Sequence, residues 1–142
     1  EMGPYAPELH IVGRRGWNNE AVFARLDGLP DDGPVIEHPD LSDGDVAALL
    51  NGASGLLFPS FAEGFGLPPV EAAALGVPIL SNDLDVVREV LGNIPIYASV
   101  SDRYLWSATI NQLARAAPNQ RKFDRFSPSD WPAHFNTVLR LV

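Results

Sequence analysis

The 142-residue sequence has no cysteine. That excludes disulfides and thiolate metal sites, and leaves no sign of the redox compartment. Positive charge is scarce: 10 Lys and Arg stand against 18 Asp and Glu, a net charge of −8. Such a chain gains nothing from the phosphate electrostatics behind general nucleic-acid binding, so nucleic acid is not an expected partner. Any phosphate it holds must be held locally, by backbone amides or a few basic side chains. No apolar run approaches the length of about 20 residues that a membrane helix needs. The acidic, proline-containing start does not read as a secretory signal peptide, and a cytoplasmic location is expected. The histidines, His10, His38 and His134, are scattered without metal-ligand spacing, so no metal site is expected.

Hydrophobic residues make up 46% of the chain and charged residues 20%, the composition of a globular protein with a real core. The length suits one domain, with no linker or internal repeat to divide it. Glycines and prolines are spread along the chain as punctuation between short elements.

Strands and helices alternate. Leu9–Val12 and Val35–His38 read as short strands, with a weak helical pattern from Asn19 to Leu26 between them. Ser42 and Asp45 have capping-box-like spacing before a helix that ends near Asn51 and Gly52. Gly55–Pro59 is apolar on both faces, as a central parallel strand should be. Pro68–Leu75 reads as a helix closed by Gly76, followed by a strand at Val77–Leu80 and a helix at Leu84–Leu91. Ile94–Tyr97 is a short strand whose Pro95 suggests an edge. Ser101 is the expected cap of a helix from about Asp102 to Ala116. A basic turn, Arg121–Arg125, and a helix carrying Trp131, Phe135, Val138, Leu139 and Val142 on its apolar side follow. The alternation predicts an α/β fold, a parallel sheet with helices on both faces. Ligands of such sheets sit beyond the carboxyl ends of the strands.

The turn after Pro59 carries the chemistry. It runs Ser60-Phe61-Ala62-Glu63-Gly64-Phe65-Gly66-Leu67 and enters a helix. Gly64 and Gly66 permit backbone conformations that other residues avoid, and they leave amides uncovered. Amides before a helix N-terminus form an anion site, aided by about half a positive charge from the helix dipole. A diphosphate could sit there without lysine or metal. Glu71, expected in the first helical turn, would repel a phosphate. It suits a pair of vicinal hydroxyls instead, as acidic residues do with ribose in dinucleotide sites. Glu63 could do the same for sugar hydroxyls. Taken alone, Glu71 reads more often as an acid that favours a helix start than as a ligand.

The string Glu63-Gly64-Phe65-Gly66-Leu67-Pro68-Pro69-Val70-Glu71 resembles, without a gap, the Glu–seven residues–Glu signature of retaining glycosyltransferases of the GT-B fold. Leu56-Leu57-Phe58-Pro59-Ser60 and Glu71-Ala72-Ala73-Ala74-Leu75-Gly76-Val77-Pro78-Ile79 are similar to the flanking strands and helix of that family. Ile11-Val12-Gly13-Arg14-Arg15-Gly16-Trp17 resembles a Val-Gly-Lys-Arg-Gly-Trp segment of one branch, and Leu41-Ser42-Asp43 and Arg88-Glu89-Val90 fall where the family has similar residues.

The resemblance implies a Rossmann-like fold, the C-terminal, donor-binding half of a GT-B enzyme, over residues 1–142. It implies Glu63 as the catalytic carboxylate at the donor sugar, with Gly64, Phe65, Gly66 and Leu67 facing the sugar and diphosphate. Glu71 would hold the ribose, and Gly13, Arg14 and His38 would lie near the base. The implied substrate is a nucleotide sugar, GDP-mannose favoured over a UDP-sugar, used without metal or other cofactor. The implied product is a polysaccharide or lipid-linked glycan. The family's first strand, its diphosphate-clamping Arg and Lys, and the N-terminal acceptor domain have no counterpart in the sequence. Arg14 and Arg15 follow a different strand and do not replace the clamp. The expected partner is therefore that N-terminal half, or another chain supplying it. Membrane association is expected only through that half. The isolated chain is expected to be an inefficient transferase, lacking donors for a departing diphosphate and shielding from water. The alternatives are a non-catalytic nucleotide-sugar-binding or assembly module, and an epimerase of similar two-domain fold, which the Glu63–Glu71 string fits less well.

Overall fold

In a computed structural model, the structure describes residues 7–116 and 126–128. The expected basic turn and last helix lie outside them. The elements run β1 (Leu9–Val12), α1 (Glu20–Asp27), β2 (Val35–His38), α2 (Asp43–Gly52), β3 (Leu56–Phe58), α3 (Leu67–Leu75), β4 (Ile79–Ser81), α4 (Asp85–Leu91), β5 (Ile96–Tyr97) and α5 (Arg103–Arg115). This is the α/β alternation that the sequence predicts. Every strand pair is parallel, because a helix carries the chain back between consecutive paired strands.

The chain forms two compact units, divided between Leu49 and Leu50. The first contains the two-stranded sheet β1–β2, with Leu9 opposite Val35 and Val12 opposite His38. The second contains the sheet β3–β4–β5. Its β5 lies at an edge, as Pro95 suggests. The expected parallel strands are all present, and their pairing falls into these two sets.

The second unit shows how two-residue alternation builds layers. Leu56, Phe58 and Ile79 face a cluster with Val70, Ala72 and Ala73 of α3 and Val87 and Leu91 of α4. Leu57 and Leu80 face the opposite way, onto Ala98 and onto Trp106, Ile110 and Leu113, the last three from α5. Helices therefore cover both faces of this sheet. Gly55 admits the close approach of α5: a Cβ there would lie 2.8 Å from Leu113 Cδ1 and 3.3 Å from the Pro78 carbonyl.

Local signals set most boundaries. Gly76, at φ 73°, ends α3, with its N–H donating to the Ala73 carbonyl and the Val77 N–H to the Ala72 carbonyl. This is the paired bonding of a left-handed glycine cap. Ser42 Oγ accepts from the Asp45 N–H at 3.2 Å and donates to the Asp45 carboxylate at 2.6 Å, so the expected box closes through side chains. One expected cap moves. Asp102, not Ser101, caps α5 by accepting from the Leu105 N–H at 2.9 Å, while Ser101 Oγ pairs with Ser99 Oγ. A carboxylate at a helix N-terminus gains from the dipole as well as from the hydrogen bond.

Candidate functional site

The loop from Pro59 to Gly66 leaves the carboxyl end of β3 and turns into α3. Gly66 is buried and left-handed, at φ 79° and ψ 55°. A residue with a Cβ rarely adopts that conformation, so a glycine is required where the chain enters the helix. Glu63, Gly64, Phe65 and Leu67 are exposed, as is Glu71.

The amide N–H groups of Gly64, Phe65, Gly66 and Leu67 donate to no partner among the described residues. The next two residues, Pro68 and Pro69, have no N–H to offer. The donors at this helix start therefore come from the loop and from Leu67, the first residue of the helix. Successive uncovered amides around a left-handed residue form a concavity suited to anions. Glu71 departs from the expectation. The helix begins at Leu67 and its first turn holds no acid, so Glu71 lies in the second turn. There it is further from the positive end of the dipole, and a capping role is correspondingly weaker.

A second group gathers at the carboxyl ends of β1 and β2. The Gly13 N–H donates to the His38 carbonyl at 3.0 Å, and Gly13 takes φ 123° as the chain leaves β1. Arg14 reaches Asp40 through Nε at 2.9 Å and through a terminal nitrogen at 2.5 Å. Gly13, Arg14 and His38, singled out from the sequence, are thus brought together within the first unit. Arg15 points elsewhere. It grips Glu37 with two nitrogens at 2.9 and 2.6 Å, meets Asp27 at 2.7 Å and lies over the Phe23 ring. These bonds hold the Glu37 and Asp27 carboxyls below their usual range.

His38 and His10, scattered in sequence, are neighbours in space. His10 Nδ1 lies 2.9 Å from His38 Nε2, and His10 Nε2 lies 3.2 Å from the Glu8 carboxylate. The ring centroids are 5.2 Å apart at an interplanar angle of 11°. That separation is the nitrogen contact plus two ring radii, so the rings meet edge to edge rather than face to face. The two lone-pair directions point at each other. This suits a shared proton and leaves no space for a metal between the nitrogens. Among the described residues no group of three or more His, Asp or Glu could hold a metal ion. No helix among them is long and apolar enough to cross a membrane.

Sequence reading missed Asn82, immediately after β4. Its Nδ2 donates to the Ser60 carbonyl at 2.9 Å and its Oδ1 accepts from the Val100 N–H at 3.3 Å. Only its place at a strand's carboxyl end could have drawn attention to it.

Residues 6–126, which include both groups, match the family described as glycosyl transferases group 1. The chain belongs to that family. Three glycosyltransferase relatives illustrate the similarity. The O-antigen chain mannosyltransferase RfbU of Salmonella typhimurium is 31% identical over 87 residues, 61% of this chain and 25% of that protein. O-antigen chain mannosyltransferase B of Escherichia coli is 32% identical over 104 residues, 73% of this chain and 27% of that protein. The MMP alpha-(1->4)-mannosyltransferase of Mycolicibacterium hassiacum is 48% identical over 97 residues, 59% of this chain and 24% of that protein. The group 1 chain therefore spans about a quarter of the length of these relatives.

Proposed function

We propose that the chain is the donor-binding part of a retaining, GT-B-type glycosyltransferase that moves mannose from a nucleotide diphosphate sugar to a glycan or lipid-linked acceptor in the cytoplasm. The observation that carries this is the run of four amides, Gly64 to Leu67, that have no partner among the described residues, in the loop after a parallel strand. Such a run can donate charge-assisted hydrogen bonds to the oxygens of a diphosphate without a metal. Exposed carboxylates stand on either side: Glu63 for the sugar hydroxyls, at the reacting end, and Glu71 for the ribose. Mannose is supported by the names of the three relatives, and GDP by the resemblance of the segment Gly13–Trp17.

The acceptor is bound by sequence outside these 142 residues. A departing diphosphate needs donors beyond the amide loop, and the reaction needs shelter from water. The isolated chain therefore binds donor without turning it over at enzyme-like rates, and an N-terminal acceptor half restores transfer.

Calorimetric titration with GDP and UDP tests the reading. The chain is expected to bind GDP more tightly, and Glu71→Ala to weaken GDP binding about ten-fold, the loss of a charge-assisted hydrogen bond. Absence of binding to either nucleotide would overturn the reading. Binding with no transfer after an acceptor half is supplied would favour a non-catalytic module instead.

A further inference from the structure

From Phe58 to Phe65, outside the bonds within β3 and β4, the chain makes two hydrogen bonds among the described residues, and both are to Asn82. Its main-chain N–H donates to the Phe58 carbonyl at 2.9 Å, extending the β3–β4 ladder by one step. Its side-chain Nδ2 donates to the Ser60 carbonyl at 2.9 Å. At its other end, Oδ1 accepts from the Val100 N–H at 3.3 Å, in the loop between β5 and α5. The partners leave one amide orientation: Ser60 offers an acceptor and Val100 a donor. Asn82 is partly buried, whereas Phe61, Ala62, Glu63, Gly64 and Phe65 are exposed.

From this geometry we propose that Asn82 is the positioning residue of the Glu63–Leu67 loop, its side-chain amide pinning the start of the loop to the carboxyl end of the sheet. Gly66, left-handed and buried against Val87, fixes the other end. A loop held at both ends keeps its path without internal hydrogen bonds, which is what leaves its amides free for a ligand. An asparagine is required because the position must donate to one loop and accept from the other. Aspartate could serve Val100 but would face the Ser60 carbonyl with a second acceptor.

The inference rests on the proposed donor site, and two readouts separate the two ideas. Backbone order parameters in the nucleotide-free chain report the loop, and GDP titration reports the site. Asn82→Asp is expected to lower the order parameters at residues 61–67 to below about 0.6, the flexible range. It should also weaken GDP binding about ten-fold, the loss of one hydrogen bond that positions the loop. Order parameters at Ala72 and Ala73 in α3 should stay as they were. Asn82→Ala, which introduces no charge, should give the same pattern. Ile94→Ala, which trims a residue packed on the core, should lower the unfolding temperature without changing the loop's order parameters. The proposal is overturned if both Asn82 variants leave the order parameters at residues 61–67 as they are in the parent, or if Ile94→Ala reproduces their pattern. If the parent chain bound no nucleotide, the donor site would fall, while the order-parameter comparison would still decide the role of Asn82.

Discussion

Between Pro7 and Leu49 no described residue is buried, whereas the second unit buries Phe58, Val70, Ile79, Leu80, Val87, Leu91 and Leu113 among others. The first unit has its own parallel strand pair, yet its long-range side-chain hydrogen bonds are polar links at the rim: Arg14 to Asp40, Arg15 to Glu37, and His10 to His38. The second encloses apolar clusters on both faces of its sheet. Exposed ion pairs contribute at most about 1 kcal/mol each, while each large apolar side chain fully buried contributes roughly 1.5–3 kcal/mol. Similar backbone patterns thus rest on different forces, and the candidate diphosphate loop belongs to the better-packed unit.

The sharpest way to break this comparison is to cut the core. Leu80→Ala, at a fully buried position, is expected to cost about 2–5 kcal/mol in urea-induced unfolding. Ile11→Ala in half-buried β1 should cost clearly less. Equal costs would mean that the first unit has a core of comparable weight.

Acid should act the other way and affect the first unit most. Arg15 holds Asp27 and Glu37 below the usual carboxylate range, and Arg88 holds Asp83 there in the second unit. A lowered folded-state value means stabilisation that is present above the unfolded value, near pH 4, and is lost as pH falls through the folded one. Amide exchange in β1 and β2 should therefore lose protection as pH falls below about 4, relative to β4. Arg15→Met should abolish that pH dependence. Persistence of the dependence in the variant would assign it to other groups.

The smallest effect is expected from Arg14→Ala. Its pair with Asp40 is exposed on both sides, so unfolding free energy should change by less than about 1 kcal/mol. A large stability loss would show that this rim bond is structural.

Much of this was legible beforehand because it depends on near neighbours. The strand–helix alternation, the glycine end of α3 and the edge position of β5 follow from periodicity, Gly76 and Pro95. The Glu63–Leu67 loop was legible because its glycines free the backbone, and the prolines after it restrict the backbone, wherever they occur. Small errors arose where two local signals competed. Ser101 and Asp102 could each cap α5, and the carboxylate prevailed. The helix at Glu71 began one residue sooner than its prolines suggested.

The sequence by itself determined the class of fold, the order of elements and the turn that presents uncovered amides, since hydrophobic period, proline and glycine act within a few residues. Only the tertiary structure decided that His10 faces His38, that Arg14 is held by Asp40, and that Asn82 ties Ser60 to Val100. Those bonds join residues 28, 26 and 22 or 18 positions apart. No local rule specifies such pairs, because they exist only once parallel pairing brings neighbouring strand ends together.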